Sequence, residues 1–139
     1  MEKKNNKVVI TFGVFDMLHI GHIILFKRAH ELGNRLVVAV QEDEVILKYK
    51  PGTSMVYTTE ERMFMVNSIK YVDEVVTYKD VDKDIQKLDF DIFVKGPDQN
   101  HEGFQRAEEW CKSQGKEIVV VPRTEGISST LLRNYSKFL

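Results

Sequence analysis

Five short apolar runs, nearly uninterrupted by polar residues, recur along the chain. They are Lys7–Phe12, Arg35–Val40, Glu74–Thr77, Asp91–Val94 and Glu117–Pro122. Strands of a parallel sheet have this continuous apolar character when helices cover both faces of the sheet. The runs therefore predict five buried parallel strands.

Helical patterns lie between these runs. The predicted helices are Gly21–Leu32, a helix begun by the capping box Thr58-Thr-Glu-Glu61, Gly103–Gln114, and a last helix from Ser128 to the C-terminus. The stretch from Lys48 to Tyr57, with Pro51 and Gly52, is predicted as a loop within the domain. Because strand and helix alternate, we expect one α/β domain over residues 1–139, a doubly wound Rossmann-like parallel sheet with helices on both faces.

Composition narrows the class of protein. Among 139 residues, Lys+Arg number 20 and Asp+Glu 21, a formal net charge of -1. The chain thus lacks the overall positive field with which nucleic-acid binders hold a phosphate backbone, and we expect no nucleic-acid partner. No apolar run approaches the roughly 18 residues of a membrane span, so we expect no membrane insertion. Cys111 is the only cysteine, which is typical of a reducing cytoplasm.

The segment Gly13-Val-Phe-Asp-Met-Leu-His-Ile-Gly-His22 follows the first predicted strand. It matches neither the P-loop nor the GxGxxG dinucleotide pattern. It instead places His19 and His22 at the start of a helix, where free amides and the helix dipole favour an anion such as phosphate. The rival interpretation, a zinc site, has only Asp16 as a nearby third ligand.

A second segment, Arg123-Thr-Glu-Gly-Ile-Ser-Ser-Thr130, precedes the last predicted helix. The hydroxyls of Ser128 and Thr130 and the amides of that helix start could bind phosphates, and Gly126 allows a close approach. Arg123 offers a planar guanidinium to a phosphate.

Together the two segments resemble the signatures of the HxGH nucleotidyltransferases, and within them the cytidylyltransferases of the glycerol-3-phosphate type. Tyr71-Val-Asp-Glu-Val75 extends the resemblance, which covers nearly the whole chain. The chain departs slightly from the family at Ser129, where threonine is common. The resemblance implies that CTP and a small phosphorylated alcohol react by direct in-line attack to give a CDP-alcohol and pyrophosphate. It also implies Mg²⁺ and a homodimer.

The resemblance also implies roles for individual residues. The implied catalytic residues are His19, His22, Lys48 and Arg123. The implied nucleotide contacts are Gly13, Phe15, Asp16, Gly21, Arg62, Thr124, Gly126, Ile127, Ser128, Ser129 and Thr130. Asp98 and Lys50 would contact the acceptor, and Asp16 would also contact the metal-nucleotide. Either Lys48 or Lys50 could be the lysine that reaches the α-phosphate, and we favour Lys48. The loop that carries Lys50 is expected to close over the nucleotide.

The acceptor is the least defined part of the hypothesis. Relatives carry a Gly-Asp pair where this chain has Pro97 before Asp98, and His101 is expected on the surface at a helix start. We take sn-glycerol 3-phosphate as the leading candidate. Phosphoethanolamine, phosphocholine, a heptose phosphate or another polyol phosphate are alternatives, as is a nucleotide-binding module without turnover.

Overall fold

The computed structural model describes residues 6–122. These residues form a sheet of five parallel strands in the order β3-β2-β1-β4-β5. The strands are β1 Val8–Gly13, β2 Arg35–Gln41, β3 Glu74–Tyr78, β4 Ile92–Lys95 and β5 Glu117–Val120. The helices are α1 Ile20–Glu31, α2 Asp43–Tyr49, α3 Thr59–Asn67, α4 Val81–Asp84 and α5 Glu102–Ser113, and a 3-10 turn at Ile85–Lys87 follows α4. The doubly wound parallel sheet predicted from the apolar runs is confirmed.

Helices cover both faces of the sheet, and successive strand residues point to opposite sides. On one face the strands pack against α1 and α3, through Val9, Val38, Ile92 and Val94 against Phe26, Ala29 and Val66. On the other face they pack against α4 and α5, through Ile10, Phe12, Ala39 and Phe93 against Val81, Phe104, Ala107 and Cys111. All but the first residue of β1 is buried, which explains its uninterrupted apolar sequence.

Strands β1 and β4 pair with each other at the point where the strand order reverses. From β1 the chain continues toward the β3 edge of the sheet, and from β4 it continues toward the β5 edge. The hydroxyl of Thr11 donates a hydrogen bond of 2.9 Å to the carbonyl of Val94 and joins these two strands near their carboxyl ends. In sheets of this kind ligands bind in the crevice outside the carboxyl ends at such a reversal. The candidate site is therefore expected where β1 and β4 end.

The predicted capping box of α3 is confirmed. The Thr58 hydroxyl accepts the Glu61 amide at 3.1 Å, and the Glu61 carboxylate accepts the Thr58 amide at 3.0 Å. Helix α2 was not predicted, and its presence corrects the start of the predicted loop, because Lys48 and Tyr49 form its last turn. The last predicted helix, from Ser128 onward, lies outside the described residues.

Within residues 6–122, no helix is both long enough and apolar enough to cross a membrane.

Candidate active site

The turn between β1 and α1 has a strained backbone. Phe15 and Met17 have φ angles of 55° and 53°, in the left-handed region that residues with a β-carbon rarely adopt. Gly13 lies under the Phe15 ring, since a β-carbon at this position would come 2.6 Å from Phe15 Cζ. The turn therefore depends on a glycine at position 13, and its strain is of the kind that is retained at functional sites.

His19 and His22 together cap helix α1. The Nδ1 atom of His19 accepts the Gly21 amide at 3.0 Å, and the Nδ1 atom of His22 accepts the His19 amide at 3.2 Å. The two rings stack with centroids 3.9 Å apart. A ring nitrogen that accepts a hydrogen bond carries no proton, so each neutral imidazole holds its hydrogen on Nε2. Two stacked imidazoles, each with its Nδ1 bound to a backbone amide, thus lie at a helix N-terminus.

Burial keeps His22 neutral. Desolvation, helped by the neighbouring His19, lowers the pKa of His22 from 6.5 to about 4. The Phe15 ring meets the His22 ring edge-on, with centroids 5.4 Å apart, and is itself in the core against Phe26. The Phe15 ring therefore supports the His22 ring, and the expected contact of Phe15 with the nucleotide stays a prediction.

Asp16 binds backbone amides of a distant segment. Its Oδ2 accepts the Val56 amide at 2.9 Å and its Oδ1 accepts the Tyr57 amide at 3.0 Å. The side chain is almost fully buried, with 8% exposed. Both carboxylate oxygens are thus engaged in holding the loop that precedes α3, and the structure gives Asp16 this structural contact where the sequence interpretation expected a metal-nucleotide contact.

Arg62 is fully buried in α3 and is engaged with the protein's own backbone. Its Nη1 donates to the carbonyls of Val14 and Gln41, both at 2.8 Å, and its Nε donates to the Tyr57 carbonyl at 3.2 Å. The expected contact of Arg62 with phosphate stays a prediction. Its guanidinium joins the ends of β1 and β2 to the loop before α3.

A cavity of about 670 Å³ opens beside this turn. Gly13 lines it from β1, Lys50 from the end of α2, Lys79 from the β3–α4 connection and Asp98 from the β4–α5 loop. Its volume lies in the range of small-molecule sites. Lys48 is exposed on α2 and does not line this cavity, whereas Lys50 does. Which of the two lysines reaches the α-phosphate stays a prediction.

The cations of this cavity differ in their partners. Arg106 is paired with Asp82 at 2.8 Å. The side chains of Lys50 and Lys79, by contrast, make no hydrogen bond or ion pair with any other residue in the 6–122 range. Sequence reasoning missed Lys79, because nothing in its local pattern distinguishes it from a solvated surface lysine.

The β4–α5 loop joins the cavity to the strand reversal. The Gln99 side chain donates to the Phe12 carbonyl at 2.7 Å and accepts the Gly96 amide at 3.0 Å. His101 is exposed and caps α5 by accepting the Gly103 amide at 3.1 Å, as expected for a helix start. Gln99 thereby holds Asp98 beside the end of β1, a role that the sequence did not indicate.

Seven predicted nucleotide or catalytic residues lie outside the described residues. They are Arg123, Thr124, Gly126, Ile127, Ser128, Ser129 and Thr130. Over residues 6–122, no group of three or more His, Cys, Asp or Glu side chains is placed to hold a metal ion. The described part of the chain therefore does not fit a metal cage built from protein side chains.

Comparison with known proteins identifies the class. The chain belongs to the cytidylyltransferase-like family, whose model matches residues 10–135. It is similar to the glycerol-3-phosphate cytidylyltransferase of Staphylococcus aureus, at 40% identity over 131 residues, which cover 91% of this chain and 92% of that protein. It is also similar to the enzyme of the same name from Bacillus subtilis, at 41% identity over 91% of this chain and 95% of that protein.

The chain is also similar to a bifunctional protein and to a solved structure. The bifunctional protein HldE of Klebsiella pneumoniae is 37% identical over 92% of this chain, which corresponds to only 27% of that protein. Among solved structures, a lipopolysaccharide core biosynthesis protein from Thermoplasma volcanium superposes with a TM-score of 0.69 at 27% identity, covering 85% of this chain and 96% of that one. The fold is thus shared with the Thermoplasma volcanium protein.

Proposed function

We propose that this protein transfers CMP from CTP to sn-glycerol 3-phosphate, forming CDP-glycerol and releasing pyrophosphate. The observation that carries the proposal is the pair of Nε2–H donors that His19 and His22 present at the start of α1. Relatives named glycerol-3-phosphate cytidylyltransferase match over 91% of the chain and support the choice of nucleotide and acceptor.

In the proposed reaction a phosphate oxygen of the acceptor attacks the α-phosphorus of CTP. As this bond forms, the bond from the α-phosphorus to the oxygen that bridges it to the β-phosphate breaks, and pyrophosphate leaves with that electron pair. Negative charge grows on the oxygens around the α-phosphorus during this step. Fixed donors that face this charge lower the barrier because they need no reorganisation.

His19 and His22 are suited to this role. Each Nδ1 is held by a backbone amide, so each ring is fixed, and in this proposal its Nε2–H donates to a phosphate oxygen. The low pKa of His22 means that this ring is neutral at pH 7 before the nucleotide binds. The N-terminus of α1 adds its dipole to the same end of the site.

The acceptor belongs, in this proposal, in the cavity that Lys50 and Lys79 line. Its phosphate must approach the triphosphate, and two like-charged groups repel strongly at short range. Lysines without ion-pair partners in the described structure can offset that repulsion, whereas Arg106 is already paired with Asp82. Asp98 also lines this cavity and, in this proposal, accepts hydrogen bonds from the hydroxyls of glycerol.

Mg²⁺ enters this proposal together with CTP. The ion prefers phosphate oxygens and water and shields the charge of the triphosphate and of departing pyrophosphate. Because residues 6–122 hold no cluster of three ligating side chains, we expect the nucleotide to supply most of its ligands. A homodimer and a cytoplasmic location stay predictions from the family resemblance, and sedimentation equilibrium tests the first of them.

The test is product analysis with purified protein, Mg²⁺ and CTP or ATP, each combined with sn-glycerol 3-phosphate, phosphoethanolamine, phosphocholine or a heptose phosphate. We expect CDP-glycerol, identified by mass, together with an equal amount of pyrophosphate. Strong turnover of another acceptor without CDP-glycerol would exclude glycerol 3-phosphate and leave the nucleotidyl transfer. Faster pyrophosphate release with ATP would exclude the choice of CTP. Nucleotide binding without product from any acceptor would favour a non-catalytic module.

A further inference from the structure

Arg62 and Asp16 bind the two backbone groups of the same residue, Tyr57. Arg62 Nε donates to the Tyr57 carbonyl, and Asp16 Oδ1 accepts the Tyr57 amide. Asp16 Oδ2 also accepts the Val56 amide. The two backbone groups of Tyr57 are therefore both bound by charged side chains, and such hydrogen bonds are the strong ones.

The same two residues fix this peptide to the strand ends. Nη1 of Arg62 donates to the carbonyls of Val14, directly after β1, and Gln41, the last residue of β2. Asp16 belongs to the strained β1–α1 turn, three residues before His19. The contacts of Arg62 and Asp16 thus join the histidine-bearing turn to the segment that enters α3.

A second pair of contacts joins the starts of α2 and α3. The Thr59 hydroxyl accepts the Asp43 amide at 2.9 Å, and the Asp43 carboxylate accepts the Thr59 amide at 3.4 Å. Nη2 of Arg62 donates to the Thr59 hydroxyl as well, at 3.3 Å. The loop that begins with Lys50 leaves the far end of α2 and reaches Val56 and Tyr57, whose amides Asp16 binds.

We propose that Asp16 and Arg62 are positioning residues that clamp the Val56–Tyr57 peptide and so hold the Lys50 loop in register with His19 and His22. The clamp serves the nucleotidyl transfer proposed above and rests on it only for its kinetic consequence. A direct phosphate contact by Arg62 competes with this geometry, because its Nε, both Nη1 hydrogens and one Nη2 hydrogen are already committed.

The clamp is testable by amide hydrogen exchange on the nucleotide-free wild-type protein. We expect the amides of Val56 and Tyr57 to exchange at least tenfold more slowly than those of Ser54 and Met55, which lie in the same loop and donate no hydrogen bond within the described residues. In Asp16→Asn and Arg62→Lys, that protection should fall about tenfold or more, while the amides of β1 and β2 keep theirs. Equal exchange of all four loop amides in the wild type would overturn the clamp.

Kinetics separate positioning from phosphate binding. If the clamp positions the loop, kcat falls by about 10-fold to 100-fold in both Asp16→Asn and Arg62→Lys. The Kd for CTP, measured by calorimetry, then changes by less than 5-fold. If Arg62 instead binds phosphate, Arg62→Met raises the Kd for CTP by 100-fold or more and leaves exchange at Val56 and Tyr57 unchanged. That result would overturn the proposal.

A double-mutant cycle supplies the final check. Because Asp16 and Arg62 act on one peptide, the loss of kcat in Asp16→Asn/Arg62→Lys should be well below the product of the two single losses. Losses that multiply fully would show two independent roles and contradict the clamp. Arg35→Met is the matched control, since Arg35 is a surface arginine paired with Glu74, and its kcat should stay within 2-fold of wild type.

Absence of product from every acceptor would refute the proposed function and leave the exchange experiment as the test of the clamp. Loss of the exchange pattern in an active wild-type enzyme would refute the clamp alone. Should Arg62→Met fail to fold, Arg62→Lys and Asp16→Asn still decide the outcome.

Discussion

Replacing His22 with glutamine should remove much of the acid sensitivity of this protein. His22 has its pKa lowered from 6.5 to about 4 in the folded chain, because burial disfavours its charged form. Between pH 6.5 and pH 4, the His22 imidazole is therefore protonated in the unfolded chain and neutral in the folded chain. Stability rises with pH wherever the unfolded state binds more protons, so the wild type loses stability as pH falls through this window.

The magnitude follows from the two pKa values. The full difference corresponds to about 3 kcal/mol at 1.36 kcal/mol per pKa unit. At pH 5, where the unfolded imidazole is almost fully protonated and the folded one almost fully neutral, about 2 kcal/mol of stability is lost relative to pH 7. Glutamine is a suitable replacement because it is the ordinary third residue of a capping box and can accept the His19 amide as His22 Nδ1 does.

The assay is urea unfolding of wild type and His22→Gln at pH 7, 6 and 5, followed by circular dichroism. Carboxylates titrate in both chains and cancel in the comparison. We expect the wild type to lose about 2 kcal/mol more than the variant between pH 7 and pH 5, with equal m-values. An identical loss in the two chains would show that His22 titrates normally and would refute the argument from burial.

Three further predictions concern single side chains. His19→Ala should lower kcat by about 10²–10³ because an Nε2 donor is lost. His19→Ser should be equally inactive, but its hydroxyl should recover roughly 1 kcal/mol of helix capping, which is visible as a higher Tm than that of His19→Ala. Full activity in either variant would contradict the donor role. Lys50→Met should raise the KM for glycerol 3-phosphate about tenfold with little change for CTP, and Lys48→Met should change neither; the reverse order would restore Lys48 to the site. Cys111 is fully buried and its thiol pKa is raised to about 11, so Ellman's reagent should modify it only in urea; rapid reaction of the native protein would contradict its burial.

The sheet could be predicted from sequence because its signal is local. Each strand buries consecutive residues on both faces, and β1 and β2 accordingly read as runs of valine, isoleucine and leucine. Helix α2 escaped prediction because it has only 7 residues, its first residue is preceded by Glu42 without a side-chain cap, and Pro51 and Gly52 follow closely. Short helices of this kind are held by tertiary contacts more than by their own sequence.

The site was predictable in part. Helix-start position and spacing were enough to place His19 and His22 at the start of α1, but not to show that the two rings cap α1 themselves. The protein contacts of Asp16 and Arg62 could not be predicted because their partners are remote in sequence: Asp16 binds amides 40 and 41 residues away, and Arg62 binds a carbonyl 48 residues away. Contacts over such separations depend on the folded topology, and no local pattern carries them.

The two left-handed residues in the β1–α1 turn differ in how freely they could be replaced. Each such residue costs roughly 1–2 kcal/mol of backbone strain, which glycine would relieve. At Met17 that replacement would leave the ring contact between Phe15 and His22 in place. At Phe15 it would remove the ring that meets His22 edge-on. Stability can thus be gained at one of these neighbouring positions, while at the other the strain is inseparable from the packing of the His22 ring.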